Sequence, residues 1–279
     1  MSFEHVIGLG VAGNFAGHLE QAGEAGDFAH LEVRDARAPK GVFPFYVPPP
    51  PGGESDHFLH VYPISADRIR LGSPGEKHQI EPEVALLCDL AYADARVVRV
   101  TPRQAMAHND CSIRREHARK ISEKKNWGPA SKGTAEHALP IDRFEPGGVL
   151  DHFRIACFLG RDGTLYEYGV DSAVSSYSYM YGQLLDWLVE KLNHQADEGP
   201  LEDISRWLAI AGRPDQALIS IGATRYTDFG ETHFLEPGDT SVVALYDARS
   251  LDAEAVRGLA LDPESTPREG ISILRQEVV

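Results

Sequence analysis

The sequence predicts a strand-dominated α+β fold. Short apolar runs that are typical of strands recur along the chain, for example at residues 84–88 and 217–221. A tight Arg-Asp-Gly turn joins two such runs within residues 153–168 and predicts a hairpin. Helical spacing of apolar residues is clearest at residues 178–193 and 201–211. Many strands and few helices favour a mixed α+β domain over an alternating α/β one.

The other elements follow from the same patterns. Further strands are predicted at residues 5–9, 43–47, 57–70, 93–101, 240–246 and 270–274, and helices at residues 14–21 and 110–125. The helix at 110–125 carries a run of charges that ends in Lys124 and Lys125. Such a run usually forms a solvated face, so we expect these side chains to be exposed.

One boundary is indicated. Residues 48–51 are consecutive prolines, and Gly-Gly-Glu-Ser-Asp follows them. This composition is typical of a stiff spacer or loop. We therefore divide the chain into an N-terminal segment, residues 1–56, and a main domain, residues 57–279.

Charge and composition limit the classes of partner. The chain has 279 residues and is 42% hydrophobic and 25% charged, which is ordinary for a globular protein. There are 27 Lys and Arg against 42 Asp and Glu, so the formal net charge is −15. This excess of acids disfavours nucleic acid and anionic membrane surfaces as partners. A small anionic substrate stays compatible, because local cations can override the overall sign.

The cysteines and the N-terminus indicate a reducing, cytoplasmic setting. The three cysteines, Cys88, Cys111 and Cys157, form no C-x-x-C motif, so neither a disulfide framework nor a thiolate zinc site is expected. Cys111 adjoins Asp110 and is expected to be an inert neighbour more often than a reactive thiol. The first residues lack the basic and apolar regions of a signal peptide, and no apolar run is long enough to span a membrane.

Three acidic side chains predict a site for a hard cation. Glu81 and Glu83 are two residues apart at the start of a buried strand, so they share a face that continues with Ala85 and Leu87. Two carboxylates on such a face repel each other and lose hydration unless a cation is present. Asp110 follows the next apolar stretch. Three oxygen ligands suit Mg²⁺, Mn²⁺ or Ca²⁺ rather than zinc. The alternative is a solvated strand edge, with Asp110 capping a helix.

A glycine motif supports a rival interpretation. Gly8, Gly10 and Gly13 match G-x-G-x-x-G, and Glu32 lies at about the distance expected for a ribose ligand. A dinucleotide fold also requires a full helix after the glycines and further βαβ units. Residues 14–24 are short and interrupted by glycine, and the prolines that follow leave no room for a crossover helix. A nucleotide-dependent oxidoreductase is therefore the weakest of our hypotheses.

The order of several short blocks resembles the fumarylacetoacetate hydrolase (FAH) superfamily. The blocks are Gly13-Asn14-Phe15-Ala16-Gly17-His18, Glu81-Pro82-Glu83-Val84-Ala85-Leu86, Asn109-Asp110-Cys111-Ser112-Ile113-Arg114-Arg115, Ser131-Lys132-Gly133 after Trp127, and Phe234-Leu235-Glu236-Pro237-Gly238-Asp239. Gly222-Ala223-Thr224 stands where the family has T-G-T-P. Together the blocks span residues 5–247. On this resemblance Gly8–Gly13 is an entry turn and not a nucleotide loop.

The resemblance implies a fold, a metal and a substrate class. The main domain would be an FAH-like catalytic domain, a mixed β-sheet roll or barrel, and the N-terminal segment would contribute a lid and a histidine. Glu81, Glu83 and Asp110 would hold Mg²⁺ or Mn²⁺, and family members usually form homodimers. The substrate would be a small oxo-acid, split by C–C bond hydrolysis or decarboxylated through a metal-stabilised enolate.

The resemblance also assigns roles to further residues. His18 would activate water as a general base, and Gln21 would orient it. Lys132 would supply a fixed positive charge to the substrate carboxylate or the enolate oxygen. Thr224 and Arg114 would bind the substrate.

Departures from the family pattern keep a second hypothesis open. The glutamate that often orients the catalytic histidine is Gln21 here, and the lysine of an L-F-x-K-P segment is missing at residues 44–48. Arg115 replaces an acid, and Arg225 replaces the proline of T-G-T-P. A catalytically altered FAH-like protein that binds a ligand is therefore the alternative to an enzyme. We expect Arg115 and Arg225 to be surface residues.

Overall fold

Strands form most of the regular structure. The computed structural model describes residues 3–28, 35, 37–50, 56–115, 118–262 and 268–279. Its strands are β1 (Ile7–Ala12), β2 (Gly41–Tyr46), β3 (Ile64–Ser65), β4 (Arg68–Ile69), β5 (His78–Gln79), β6 (Pro82–Ala93), β7 (Arg96–Asn109), β8 (Ser112–Ile113), β9 (Lys132–Thr134), β10 (Leu139–Pro140), β11 (Phe153–Arg161), β12 (Thr164–Ala173), β13 (Gln216–Ser220), β14 (Thr240–Asp247) and β15 (Ile271–Val278).

Helices are few and mostly short. They are α1 (His18–Gln21), α2 (Tyr181–His194), α3 (Ile204–Ile210), α4 (Asp228–Thr232) and α5 (Ala253–Leu261). Single 3-10 turns occur at Ala25–Phe28, Phe58–His60, Ile121–Lys124, Val149–His152 and Val174–Ser176. None of the helices in the described part of the chain is long and apolar enough to cross a membrane.

Two mixed sheets carry the fold. The larger has the order β2-β1-β13-β6-β7-β9-β3, with β10 also paired to β7, and the smaller has the order β12-β11-β14-β15-β4. The pairs β1–β13, β3–β9 and β4–β15 are parallel, whereas the other pairs in these sheets are antiparallel. The larger sheet curls into a half-barrel. The predicted strand-dominated α+β fold is thus confirmed.

The alternation of β6 decides where the site lies. Val84 and Leu86 point into the main apolar core, which also contains Ile155 and Leu274 of the smaller sheet. Glu83 and Ala85 point to the opposite face, because successive side chains of a strand alternate. A second apolar cluster covers that face, with contributions from α1 and from the turn Ile121–Lys124. The acids are therefore enclosed between the larger sheet and a thin covering layer.

The C-terminal part completes the smaller sheet. The predicted hairpin within residues 153–168 is confirmed as β11 and β12. Residues 248–279, for which the sequence predicted only a late strand, form α5 and β15, and β15 pairs with β14 and β4.

The helix predicted at 110–125 is wrong. Ser112 and Ile113 form β8, which pairs with β5, and only Ile121–Lys124 makes a 3-10 turn. Residues 116 and 117 lie outside the described residues. The expected exposure is wrong as well, because Lys124 and Lys125 are 5% and 3% exposed. Charges that find buried carboxylate partners need not face solvent, and here the partners come from distant strands.

The glycine motif is not a nucleotide loop. Gly8 and Gly10 lie inside β1, and of the motif only Gly13 has a positive φ, of 73°. A Cβ at Gly8 or Gly10 would lie 2.2 Å from a ring atom of Phe45 or Phe43. These glycines let the aromatic rings of β2 pack flat on β1, which explains the motif without a ligand. Glu32 lies outside the described residues.

The N-terminal segment shares a sheet with the main domain. β1 pairs with β13, and β2 pairs with β1. Residues 51–55, at the boundary we expected, lie outside the described residues. The division into 1–56 and 57–279 stays a prediction.

Candidate active site

Two acids mark the point where paired strands separate. β6 and β7 pair up to Pro82 and Asn109, and the same two chain segments pair again as β5 and β8. Between these ladders, the Asp110 N–H donates to the Glu81 carbonyl at 2.9 Å, and the Glu81 N–H donates to the Asn109 side chain at 3.2 Å. With no ladder to continue, the side chains of both acids are free to turn toward Glu83.

The three predicted ligands come together. One oxygen atom from each of Glu81, Glu83 and Asp110 lies within 4.8 Å of the other two, and all three residues are buried. Hard carboxylate oxygens at this spacing are the donors that Mg²⁺, Mn²⁺ and Ca²⁺ prefer. The three residues are a candidate metal centre.

Three cations surround two of these acids. Lys125 Nζ lies 2.6 Å from Glu81 Oε2 and 2.6 Å from Asp110 Oδ2. Arg114 Nη1 lies 2.8 Å from Glu81 Oε1, and Lys132 Nζ lies 2.8 Å from Asp110 Oδ1. Glu83 takes part in none of the described ion pairs and instead accepts the Gly222 N–H at 2.8 Å.

The alignment of these pairs bears on cation binding. Lys125 makes a well-aligned hydrogen bond to Glu81 Oε2. Glu81 Oε1 and both oxygens of Asp110 have a cation nearby but no donor in hydrogen-bond geometry. These short distances are electrostatic contacts, so the lone pairs of these oxygens are only partly used. The donor set therefore fits a hard cation.

The surroundings shift the pKa values of Glu81 and Glu83 in opposite directions. Burial opposes ionisation of Glu81, but Lys125 and Arg114 outweigh it and hold the pKa of Glu81 well below its usual range. Burial and the nearby Asp110 raise the pKa of Glu83 well above its usual range, against the weaker opposing effect of Lys125. The surroundings thus favour the ionised form of Glu81 and the protonated form of Glu83 when no further cation is present.

His18 faces the same site from α1. Its Nδ1 lies 2.9 Å from the Thr224 carbonyl oxygen, which can only accept, so Nδ1 carries the proton and Nε2 keeps its lone pair. Burial lowers the pKa of His18, with Glu81 acting in the opposite direction. The ring is therefore neutral near neutral pH, the form in which it can accept a proton.

Gln21 does not orient His18. Its amide donates to the Tyr226 carbonyl at 3.1 Å and accepts the Tyr226 N–H at 2.9 Å, and it also donates to Glu231. These bonds attach α1 to the backbone near Thr224. Thr224 contributes main-chain groups, since its N–H donates to Pro82 while its carbonyl holds His18. The role expected for Gln21 is corrected to anchoring α1, because its amide matches a backbone pair and not a ring nitrogen.

Arg114 has little capacity left for a substrate. Its guanidinium donates to Gln79, Glu24 and the Tyr226 hydroxyl, in addition to its contact with Glu81. Three of its five N–H groups make these hydrogen bonds, and Nη1 also faces Glu81. Lys132 is fully buried behind Asp110 and donates to the Cys111 carbonyl at 2.7 Å. Both side chains hold the acids in place, and neither lines the cavity described next.

The cavity at the site is small. It measures about 20 Å³ and is lined by His18, Glu81, Glu83, Lys125 and Phe43, among others. About one water molecule fits such a space. His18, Glu81 and Glu83 therefore line one small volume that admits a small ion or a water, and an organic acid requires the covering layer to move.

Sequence reasoning missed three members of the site. Lys125 was expected in solvent, as was Lys124, whose Nζ lies 2.9 Å from Glu24 Oε1. Glu24 also pairs with Arg114 at 2.9 Å. Three buried acids require counter-charges, and that requirement was the available signal. Cys111 is buried, which raises the pKa of its thiol to about 12 and disfavours the reactive thiolate.

Solved structures identify the class of fold. A putative fumarylacetoacetate isomerase/hydrolase from Oleispira antarctica superposes with a TM-score of 0.53 at 11% identity, covering 98% of this chain and 93% of that chain. A putative fumarylacetoacetate hydrolase family protein from Yersinia pestis CO92 gives 0.51 at 10%, covering 98% and 94%. A 2-keto-3-deoxy-D-arabinonate dehydratase complexed with magnesium and 2,5-dioxopentanoate gives 0.50 at 12%, covering 98% and 72%. At these identities the likeness shows the fold alone.

The sequence itself places the chain in one family. A family of unknown function (DUF5718) matches residues 24–278, and the chain belongs to it. No curated protein matches the sequence.

Proposed function

We propose that the chain is a divergent FAH-superfamily enzyme that uses Mg²⁺ or Mn²⁺ to act on a small oxo-acid. The observation that carries the proposal is the buried group Glu81, Glu83 and Asp110, with His18 lining the same cavity as the two glutamates. The fold it shares with the magnesium-bound dehydratase, crystallised with 2,5-dioxopentanoate, supports the substrate class. C–C bond hydrolysis and decarboxylation are the proposed reactions.

The chain's own residues supply most of the machinery. Glu81, Glu83 and Asp110 would hold the ion, which polarises substrate oxygens and offsets the negative charge that develops on them. His18 Nε2 accepts a proton from water or substrate, and the Thr224 carbonyl fixes its tautomer. Arg114 and Lys132 keep the carboxylates oriented.

Substrate entry requires α1 to move. The closed cavity of about 20 Å³ cannot hold an oxo-acid. α1 is four residues long and is attached to the segment 224–226 through His18 and Gln21. Gly17 precedes it with a φ of 84°, and Gly23 follows with a φ of 71°. In this proposal α1 is a lid that pivots at these glycines and closes His18 over the substrate. Homodimer formation, as the resemblance implies, and a cytoplasmic location, as the cysteines and the N-terminal residues indicate, complete the proposal.

The ion site is tested by calorimetric titration of Mn²⁺ into metal-stripped protein. We expect saturable binding at one site, and its loss in Glu83→Gln and Asp110→Asn. Asp89→Asn is the matched control, because Asp89 lies on the same strand with its side chain 41% exposed and pairs with Arg103. Binding that survives both substitutions at the cluster contradicts the assignment.

The chemistry is tested on a panel of oxo-acids with Mn²⁺ present. Turnover of one of them should fall about 10²–10⁴-fold in His18→Asn, the contribution typical of a positioned base. Because the pKa of His18 lies below 6.5, activity should decline only on the acid side of that value. Full activity of His18→Asn would rule out this residue as the base.

A second function is supported by the crowded site. Lys125 already bridges two of the acids, and the cavity is closed. These features also suit an FAH-like protein that has lost catalysis and binds a small ligand. No turnover on any oxo-acid, together with intact Mn²⁺ binding, would favour this alternative.

A further inference from the structure

Lys125 bridges two acids of the cluster. Its ammonium is 2.6 Å from Glu81 Oε2 and 2.6 Å from Asp110 Oδ2, and its side chain is 3% exposed. The Phe43 ring, 5.2 Å away, packs against the ammonium from a third direction. Lys125 also lines the cavity together with Glu81, Glu83 and His18. A cation of the chain itself therefore occupies one edge of the cluster.

Cations of the chain already surround the buried acids of the site. Arg114, Lys124, Lys125 and Lys132 pair with Glu24, Glu81 and Asp110. Glu83 lies beside this group and takes part in none of the described ion pairs. A divalent ion would add two positive charges to this enclosed group. Repulsion between the ion and an ammonium that touches the same two oxygens is strong in a partly desolvated site.

The space at the cluster also argues against the simultaneous presence of a divalent ion and the Lys125 ammonium. A divalent ion with carboxylate ligands requires metal–oxygen distances of about 2.0–2.6 Å. The ammonium now contacts two of the three carboxylates, and the cavity beside it measures about 20 Å³. Lys has three donors and no acceptor, so it cannot become a ligand while it stays protonated.

We propose that Lys125 is a tethered competitor for the metal: it bridges Glu81 and Asp110 until a divalent ion displaces it. The inference rests on the ion site of the proposed function and deepens it. Binding then exchanges an internal cation for an external one, so Lys125 sets how much Mg²⁺ or Mn²⁺ is needed to load the protein. The displaced ammonium moves toward the cavity and His18, where an anionic substrate would meet it.

The test is Mn²⁺ affinity at fixed pH, measured by calorimetry and by the spectroscopic signal of free Mn²⁺. Lys125→Met removes the competitor, and we expect Mn²⁺ to bind at least tenfold more tightly than to the unaltered protein. Lys120→Met is the matched control and should leave the affinity unchanged, because Lys120 pairs with Asp197 at 2.6 Å, away from the cluster. Unchanged or weaker Mn²⁺ binding to Lys125→Met would overturn the inference.

A second variant tests the inference if Lys125→Met does not fold. Lys125→Arg keeps the charge and offers more donors to the same carboxylates, so Mn²⁺ should bind at least tenfold more weakly than to the unaltered protein. Equal or tighter binding would count against displacement.

The outcomes separate the inference from the proposed function. Binding to Lys125→Met but not to the unaltered protein supports the competitor and removes metal dependence from the native activity. Equal binding by both supports the ion site and overturns the competitor. Binding by neither overturns both.

Discussion

The two halves of the acidic site are held by different means. Around Glu81 and Asp110 the chain places charged side chains: Lys125, Arg114 and Lys132. Around Glu83 and His18 it uses the backbone of residues 222–226. Gly222 donates to Glu83, and the Thr224 carbonyl holds His18. Glu81 and Glu83 are nearest neighbours on one strand face, yet their pKa values shift in opposite directions.

The contrast teaches that strand position does not determine the charge of a buried acid. The pKa of Glu81 is lowered because Lys125 and Arg114 outweigh its burial. Burial and the repulsion of Asp110 raise the pKa of Glu83, against the weaker opposing effects of Lys125 and the Gly222 N–H. In our proposal the cations around Glu81 and Asp110 stabilise their negative charge before an ion binds. The second half acquires its charge only when an ion arrives.

The largest expected effect comes from neutralising one acid in each half. In metal-free buffer, Glu81→Gln should lower the free energy of unfolding by about 3 kcal/mol, because it leaves buried cations without their partner. Near pH 5, Glu83→Gln, which resembles the protonated acid, should change it by less than about 1 kcal/mol. Urea denaturation of both variants measures the difference. Equal losses would mean that the two halves are not distinct.

The pH dependence of the free energy of unfolding should also distinguish Glu83 from Glu81, with a smaller effect. The folded pKa of Glu83 is raised, so its contribution is fully present below the unfolded value of about 4.5 and is lost as pH rises toward the folded value. In that window the metal-free protein should lose up to about 1.4 kcal/mol per pH unit relative to Glu83→Gln. The folded pKa of Glu81 is lowered, so its contribution is lost only as pH falls below 4.5.

Denaturation from pH 5 to 8 provides the measurement. The difference in free energy of unfolding between the unaltered protein and Glu83→Gln should increase with pH, and saturating Mn²⁺ should remove it. A constant difference would show that Glu83 is already ionised in the metal-free protein.

The smallest effect is expected at the attachment of α1. Gln21→Ala removes two hydrogen bonds to the Tyr226 backbone and should cost about 1 kcal/mol of stability. Amide exchange near residues 18–24 should accelerate, while Mn²⁺ affinity stays the same because the acids are untouched. Glu20→Ala, on the same helix, is the control. A drop in Mn²⁺ affinity would show that the lid and the ion site are coupled.

The sequence predicted the strands and the acidic group from local patterns. The apolar alternation of β6 placed Glu81 and Glu83 on one face. Asp110 was joined to them because it follows the next apolar stretch and because its block resembles one of the FAH superfamily. Prediction failed at Lys124 and Lys125, because a charged run has no local signature that separates a solvated helix from a buried turn. Their partners, Glu24 and Glu81, lie 100 and 44 positions away in the chain. Gln21 was misjudged for the same reason, since its backbone partner is 205 positions distant.

Gly10 of β1 is linked to the Lys125 ammonium through the ring of Phe43. A side chain at Gly10 would collide with the ring of Phe43, and that ring lies 5.2 Å from Lys125 Nζ. A random mutagenesis screen would therefore score Gly10 as essential although it contacts neither ion nor substrate. Read with the G-x-G-x-x-G pattern, such a result would suggest a nucleotide cofactor, although the packing of β2 on β1 already accounts for it. The steric origin would show in a compensating second-site change, since a smaller residue at position 43 should restore what a larger one at position 10 removes.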